Sequence, residues 1–176
     1  MRVYFDTEFI EDGRTIDLIS VGMVREDGAE YYAVNRDMPH RRIRKHQWLM
    51  ENVVPSLPQG HGDWRNHMPR RWLLDYTDPA VKPRKQIAAE VVEFAGDDPE
   101  FWAWYAAYDW VVLCQLFGTM MDLPDGWPMY CRDFKQVADE RGLDLRQDDS
   151  DHNALGDARW LASAWTPSTS PTKEAS

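Results

Sequence analysis

Asp6 and Glu8 stand two residues apart in the apolar run Val3-Tyr4-Phe5-Asp6-Thr7-Glu8-Phe9. Such a run reads as a central, buried strand, and strand side chains at i and i+2 point to one face. Two carboxylates on that face repel each other and carry a large desolvation cost unless a cation sits between them. Hard oxygen ligands on a rigid strand suit Mg²⁺ or Mn²⁺. The same pattern fits a strand end that has reached solvent and carries ordinary surface acids. Asp109 follows a second apolar stretch and opens a helical one, a place where Asp also serves as a plain N-cap. His152 lies ahead of Asp157 in His152-Asn153-Ala154-Leu155-Gly156-Asp157. A loop histidine followed by an acid complementing a helix dipole would explain that pair without any chemistry.

The elements that must position these residues are legible from periodicity and turn signals. The opening strand is followed by a turn at Glu11-Asp12-Gly13-Arg14, a second strand over Ile16 to Val24, and a hairpin at Arg25-Glu26-Asp27-Gly28. Glu30-Tyr31-Tyr32-Ala33-Val34 returns as a third strand, completing an antiparallel meander. The pattern predicts a helix over Ile43 to Val54, ended by Pro55. Leu57 to Lys82 has no clear period and reads as a long loop or lid, with one short strand around Trp72-Leu73-Leu74. Pro83 opens a helix with Ile87, Val91, Phe94 and Ala95 at helical spacing. Phe101 to Ala106 is a second buried strand, running into a helix over Asp109 to Phe117 that stops at Gly118. A short strand at Met129-Tyr130-Cys131 precedes a helix capped by Asp133 and running to about Arg141. Leu143 to Asp151 reads as polar loop. The last helix covers about Asn153 to Trp165, with Leu155, Ala158, Ala162 and Trp165 on one side. The Ser/Thr/Pro-rich stretch 166–176 reads as a disordered tail.

The expected fold is therefore α/β: a mixed central sheet in which the meander of strands 1–3 is followed by parallel strands and flanking helices, in one domain spanning residues 1–165. Asp109 then falls at the carboxyl end of a parallel strand, where open α/β sheets collect ligands. At 176 residues, with 43% apolar content and nine tryptophans, the chain has a proper core and is not a disordered one. No apolar run approaches the ~20 residues of a membrane span, no signal peptide precedes the first strand, and Cys114 and Cys131 lack zinc-site spacing. The expected location is the cytoplasm. The net charge of −10 is unevenly spread: residues 36–86 carry 11 Lys+Arg against 5 Asp+Glu, and the rest carries the excess acid. That segment fits either a local phosphate track or a solvated loop.

Taken in order, Asp6, Glu8, Asp109, His152 and Asp157 resemble the motifs of the DEDD 3′–5′ exonuclease superfamily, whose fold is ribonuclease H-like. Asp6-Thr7-Glu8 matches the first motif, Tyr108-Asp109 the second, and His152 with Asp157 the third. The resemblance covers about Met1 to Trp165. One branch of the superfamily places a tyrosine four residues before the last aspartate. Here that position is Asn153, and a histidine stands five before, the DEDDh arrangement shared with oligoribonuclease, RNase T and proofreading subunits. Asp6-Thr7-Glu8-Phe9 is also similar to RNase D of the tyrosine branch, so the third motif is the more diagnostic. Within DEDDh enzymes, Asp6 to Gly13 and the Ala-Tyr-Asp segment ending at Asp109 are most similar to the small actinobacterial exoribonuclease group RNase AS.

The resemblance implies a metal-dependent 3′–5′ exoribonuclease that degrades single-stranded RNA from its 3′ end, prefers adenylate and acts as a homodimer. It further implies two Mg²⁺ ions, with Mn²⁺ able to substitute, on Asp6, Glu8, Asp109 and Asp157. Asp6 would bridge the ions, Glu8 and Asp157 would hold the first, and Asp109 the second. Two ions ~3.5–4 Å apart can serve both oxygens of a phosphodiester displacement, and His152 would take the proton of the attacking water. Thr7, Phe9 and Tyr108 are the expected substrate contacts, the two rings by base stacking, while one or both of Trp104 and Tyr105 belong to the core. Arg65, Arg70 and Arg71 are candidates for phosphate contact from the long loop. The competing activity is a 3′–5′ DNA exonuclease of proofreading or repair type, since the metals act on phosphate and only the 2′-hydroxyl discriminates. A binding module that has lost catalysis, or an acidic interaction protein, would not need all five residues.

Overall fold

A computed structural model describes residues 1–60, 72–146 and 152–165. Three long antiparallel strands form its spine: β1 (Arg2–Glu11), β2 (Ile16–Arg25) and β3 (Glu30–Asn35). The Asp12 carboxylate closes the first turn by accepting from the Arg14 and Thr15 amides. Gly28, at φ 87°, closes the second, a conformation that a side chain would oppose. Helices α1 (His40–Ile43) and α2 (Gln47–Asn52) and a 3₁₀ turn (Val54–Ser56) follow. Then come β4 (Val81–Lys82), α3 (Arg84–Ala95), β5 (Glu100–Ala103), α4 (Ala107–Cys114), a 3₁₀ turn (Met120–Asp122), β6 (Arg132–Asp133), α5 (Phe134–Glu140) and α6 (Ala154–Trp165).

The strand order is β4-β3-β2-β1-β5-β6, with β5 and β6 parallel to β1 and β4 parallel to β3. This is the mixed α/β sheet that the sequence predicts, consistent with a ribonuclease H-like fold. Alternation divides the core. Val3, Phe5, Val21 and Met23 face α3 and α4, burying Ile87, Val91 and Val112. Tyr4 and Trp102 face the other way, against Phe134 and Leu161 of α5 and α6. A third cluster gathers Ile19 and Val34 under Leu49, Val53 and Val54. Ile19 reaches it through a bulge: Glu8 pairs with Ser20 and Phe9 with Leu18, so Ile19 has no partner in β1. Bulges re-aim side chains next to active sites, and this one sits directly after Glu8.

Several elements depart from the sequence expectation. The helix predicted over 43–54 is broken, because His46 leaves the helical conformation and caps α2, its ring nitrogen accepting from the Leu49 amide. Pro55 does not follow that helix; it sits in the 3₁₀ turn, where its missing N–H costs nothing. Around Trp72-Leu73-Leu74 there is a single bridge, Gln59 to Leu74, while β4 lies in the stretch read as loop. β5 stops at Ala103, since Trp104 and Tyr105 turn away, Tyr105 with φ 55°. The strand expected at 129–131 forms at Arg132–Asp133. α6 buries Ala154, Ala158 and Leu161, so Leu155 is not on its most buried side. Asp133 does cap α5, accepting from the Lys135 and Gln136 amides. The tail at 166–176, most of the loop over 143–151 beyond Arg146, and Arg65, Arg70 and Arg71 lie outside the described residues.

Candidate active site

β1 carries Asp6 and Glu8 on the same face as Tyr4, the face that α6 covers. α6 packs across β1 and β2. Gly22, the cross-strand partner of Asp6, lies directly beneath the first turn of α6: a Cβ there would overlap the Leu155 nitrogen and the Ala154 carbonyl. Asn153 fixes the start of the helix, its side-chain oxygen accepting from the Gly156 amide. Asp157 is thereby carried to the two strand acids, and ligand oxygens of Asp6, Glu8 and Asp157 all lie within 4.8 Å of one another.

Asp109 arrives from the other side of β1. β5 pairs with β1 only as far as Tyr4, which leaves the Thr7 amide without a strand neighbour there. Asp109 takes that place: one carboxylate oxygen accepts from the Thr7 amide at 2.9 Å and the Thr7 hydroxyl at 2.6 Å. Plain N-capping does not describe Asp109, because Ala106 holds the cap position and Asp109 lies inside the first turn of α4.

The electrostatics follow from burial of like charges. Desolvation, reinforced by Asp109, Glu8 and Asp157, holds the Asp6 carboxyl well above the usual carboxylate range. Desolvation and the fields of Asp157 and Asp109 push Glu8 up to about 8. Asp109 rises to about 6, burial outweighing the two Thr7 hydrogen bonds that favour its charged form. Carboxylates so placed hold protons, or a cation in their stead. The donor set is all oxygen, the chemistry of a hard divalent ion such as Mg²⁺ or Mn²⁺.

All four acids and His152 line one open cavity of about 270 Å³. Phe9, Trp48, Trp104 and Tyr105 contribute aromatic walls. A groove of about 800 Å³ along Tyr4, Phe134 and Trp165 is larger, but among the described residues only Glu26 supplies it with a carboxylate. His152 has a left-handed backbone, φ 33°, and its ring meets Trp48 edge-on at 4.8 Å. Thr7 lines the cavity with both donors committed to Asp109. Tyr108 stands just outside the lining and stacks on Phe9 at 5.9 Å and 9° between planes. Trp104 packs on Phe134 and Trp160, a core role, whereas Tyr105 is 63% exposed.

Trp48 and Ser56 come to the site from α2 and the 3₁₀ turn after it, Trp48 at the cavity wall and Ser56 through the His152 carbonyl. Neither sits in a recognisable motif, and only the basic character of their segment singles it out. Part of that basic charge serves the fold. Arg42 pairs with Asp17 and Asp12, Lys82 with Glu90, Arg44 donates to the Trp72 carbonyl and Arg84 to that of Gln115. Arg41, Lys45 and Lys85 are exposed.

The 3′–5′ exoribonuclease Rv2179c of Mycobacterium tuberculosis H37Rv is 41% identical over 167 residues, covering 90% of this chain and 88% of the relative. The 3′–5′ exoribonuclease MT2234.1 of strain CDC 1551 / Oshkosh matches to the same extent. The family model described as the 3′–5′ exoribonuclease Rv2179c-like domain matches residues 1–169. The match takes in all five candidate residues, and the chain belongs to that family.

Proposed function

We propose that this protein is a metal-dependent 3′–5′ exoribonuclease of the DEDDh type, hydrolysing single-stranded RNA from its 3′ end. The observation that carries the reading is the convergence of Asp6, Glu8 and Asp157 within 4.8 Å, in a cavity shared with Asp109 and His152. Asp6, Glu8 and Asp157 would hold one Mg²⁺ or Mn²⁺ ion, and Asp6 with Asp109 a second. Bound there, the ions would neutralise phosphate charge and lower the pKa of the attacking water. A ring nitrogen of His152 accepts the proton of that water. Thr7 acts through Asp109, fixing its carboxylate and favouring its ionised form. Phe9, backed by Tyr108, offers a face on which a base of a single strand stacks for about 1–3 kcal/mol.

The adenylate preference and homodimeric state implied by the resemblance to RNase AS belong to the same proposal, as does action in the cytoplasm. For a dimer, Tyr108 and Val111 offer exposed apolar surface three residues apart on α4. No helix among the described residues is long and apolar enough to cross a membrane.

The test is a time course on 5′-labelled RNA and DNA of one sequence, with Mg²⁺, Mn²⁺ or EDTA, beside Asp6→Ala and His152→Ala. A ladder shortening from the 3′ end of RNA is expected, absent with EDTA and in Asp6→Ala and reduced to a slow residual rate in His152→Ala. Equal cleavage of DNA would turn the assignment to a DNA exonuclease. Substrates ending in 3′-A and 3′-C in the same gel test the base preference, and sedimentation tests the dimer.

A further inference from the structure

We infer that Ser56 is a positioning residue for His152, and that Trp48 completes the hold on its ring. The inference rests on the reading of His152 as proton acceptor given above. The His152 backbone is at φ 33°, a region that a residue with a Cβ rarely occupies without outside support. The Ser56 hydroxyl supplies a contact 96 residues away in sequence, donating to the His152 carbonyl oxygen at 3.0 Å. The Ser56 hydroxyl oxygen also lies 2.8 Å from the Val53 carbonyl oxygen, so its one proton is shared between the carbonyls of wholly buried Val53 and of His152.

The anchor behind that hydroxyl is rigid. Leu49, Val53 and Val54 pack into the cluster built on Ile19 and Val34 of the sheet. Ile19 is the bulge residue beside Glu8. The strand that carries two metal-ligand candidates therefore also seats, through its neighbour, the segment that holds His152. Trp48 projects from the same segment and meets the His152 ring edge-on. The two contacts act on different parts of His152, Ser56 on the main chain and Trp48 on the imidazole. Together they fix where the ring stands relative to the carboxylates in the shared cavity.

A residue acting only through His152 should lose its effect once the imidazole is gone. The experiment is a single-turnover cycle of wild type, Ser56→Ala, His152→Ala and the double variant on a 5′-labelled single-stranded RNA with Mg²⁺. Mn²⁺ binding is measured on each protein by calorimetry. Ser56→Ala is expected to slow the chemical step about 3- to 10-fold, the worth of one hydrogen bond. Mn²⁺ affinity and KM should be unchanged, and Ser56→Thr should restore the rate. In the His152→Ala background the same change should cost nothing further, and Trp48→Leu should show the same non-additivity in rate. A wild-type rate for Ser56→Ala, or a loss that persists in full without His152, overturns the inference and leaves the nuclease reading intact. A wild-type rate for His152→Ala overturns the proton-acceptor role itself, and the inference with it. Loss of Mn²⁺ binding in Ser56→Ala would assign Ser56 to the scaffold of the metal site instead.

Discussion

Asp109 shows how much one residue can be asked to balance. It is buried at the open edge of β1 and leans on two donors from Thr7. A hydrogen bond to a charged, buried acceptor is worth about 1.5–3 kcal/mol. Thr7→Val removes the hydroxyl and keeps the shape, so it should destabilise the protein by about 1–3 kcal/mol at pH 8 in urea unfolding. It should also raise the Mg²⁺ concentration needed for half-maximal activity, because Asp109 then ionises less readily. Thr7→Ser should stay near wild type in both respects; an equal loss in Ser would point to packing of the methyl group instead. Glu8 gives the opposite sign. Its carboxylate is held up by burial and by neighbouring acids, with no basic partner among the causes. Glu8→Gln should therefore raise the melting temperature of metal-free protein at pH 8 while abolishing RNA cleavage. A lower melting temperature would show that the ionised Glu8 is not under repulsion.

At the scale of elements, the site depends on how closely α6 lies on the sheet. Only a glycine at position 22 leaves room for the backbone of Ala154 and Leu155. Gly22→Ala must lift or slide the first turn of α6, moving Asp157 away from Asp6 and Glu8. Overpacking of this kind costs about 1–3 kcal/mol. The distinguishing result is a Mn²⁺ affinity at least about tenfold weaker by calorimetry, the scale seen when the support that orients a ligand is disturbed; unchanged affinity would mean that the helix absorbs the methyl without moving its acid. In the sequence, Gly22 is an ordinary member of the second strand, because its role depends on which helix passes over it. Asp6 and Glu8 are different: their i, i+2 spacing states their common face directly, and the strong periodicity of β1 to β3 and α3 places those elements within a residue or two. Trp48 and Ser56 were hidden because the helix expected over 43–54 is cut by His46, a cap that carries no signal in an apolar pattern. β4, two residues long, is too short for any period. Thr7 is expected as a substrate contact, and the hydrogen bonds of its amide and hydroxyl to Asp109 become visible only with the early end of β5.

The whole molecule carries a net charge of −10, yet its most consequential acids are the few that share the cavity. Their effect on stability has a definite sign. A carboxyl whose folded pKa is raised binds more protons in the native state than in the unfolded chain, so stability falls as pH climbs from the unfolded to the folded value. For Glu8 that window runs from 4.5 to about 8, for Asp109 from 3.8 to about 6, and Asp6 shifts in the same direction. The acids held low, Asp12, Asp27, Glu30, Glu90 and Asp122, act in the opposite sense, but their contribution is complete once the unfolded carboxyls have ionised near pH 4.5. Between pH 5 and 8 the cavity acids therefore dominate. Metal-free protein should lose stability steadily across that range, on the order of several kcal/mol in all, and Glu8→Gln should flatten the slope. Mg²⁺ held by the proposed site would favour the ionised acids, so its stabilisation should grow with pH, reaching about 2.7 kcal/mol at one hundred times Kd. Chemical unfolding at pH 5, 6.5 and 8, with EDTA or with Mg²⁺, reads all of these at once. A metal-free curve that is flat or rises toward pH 8 would remove the electrostatic case for a cation at Asp6, Glu8 and Asp157, since the cluster would then tolerate its own charge.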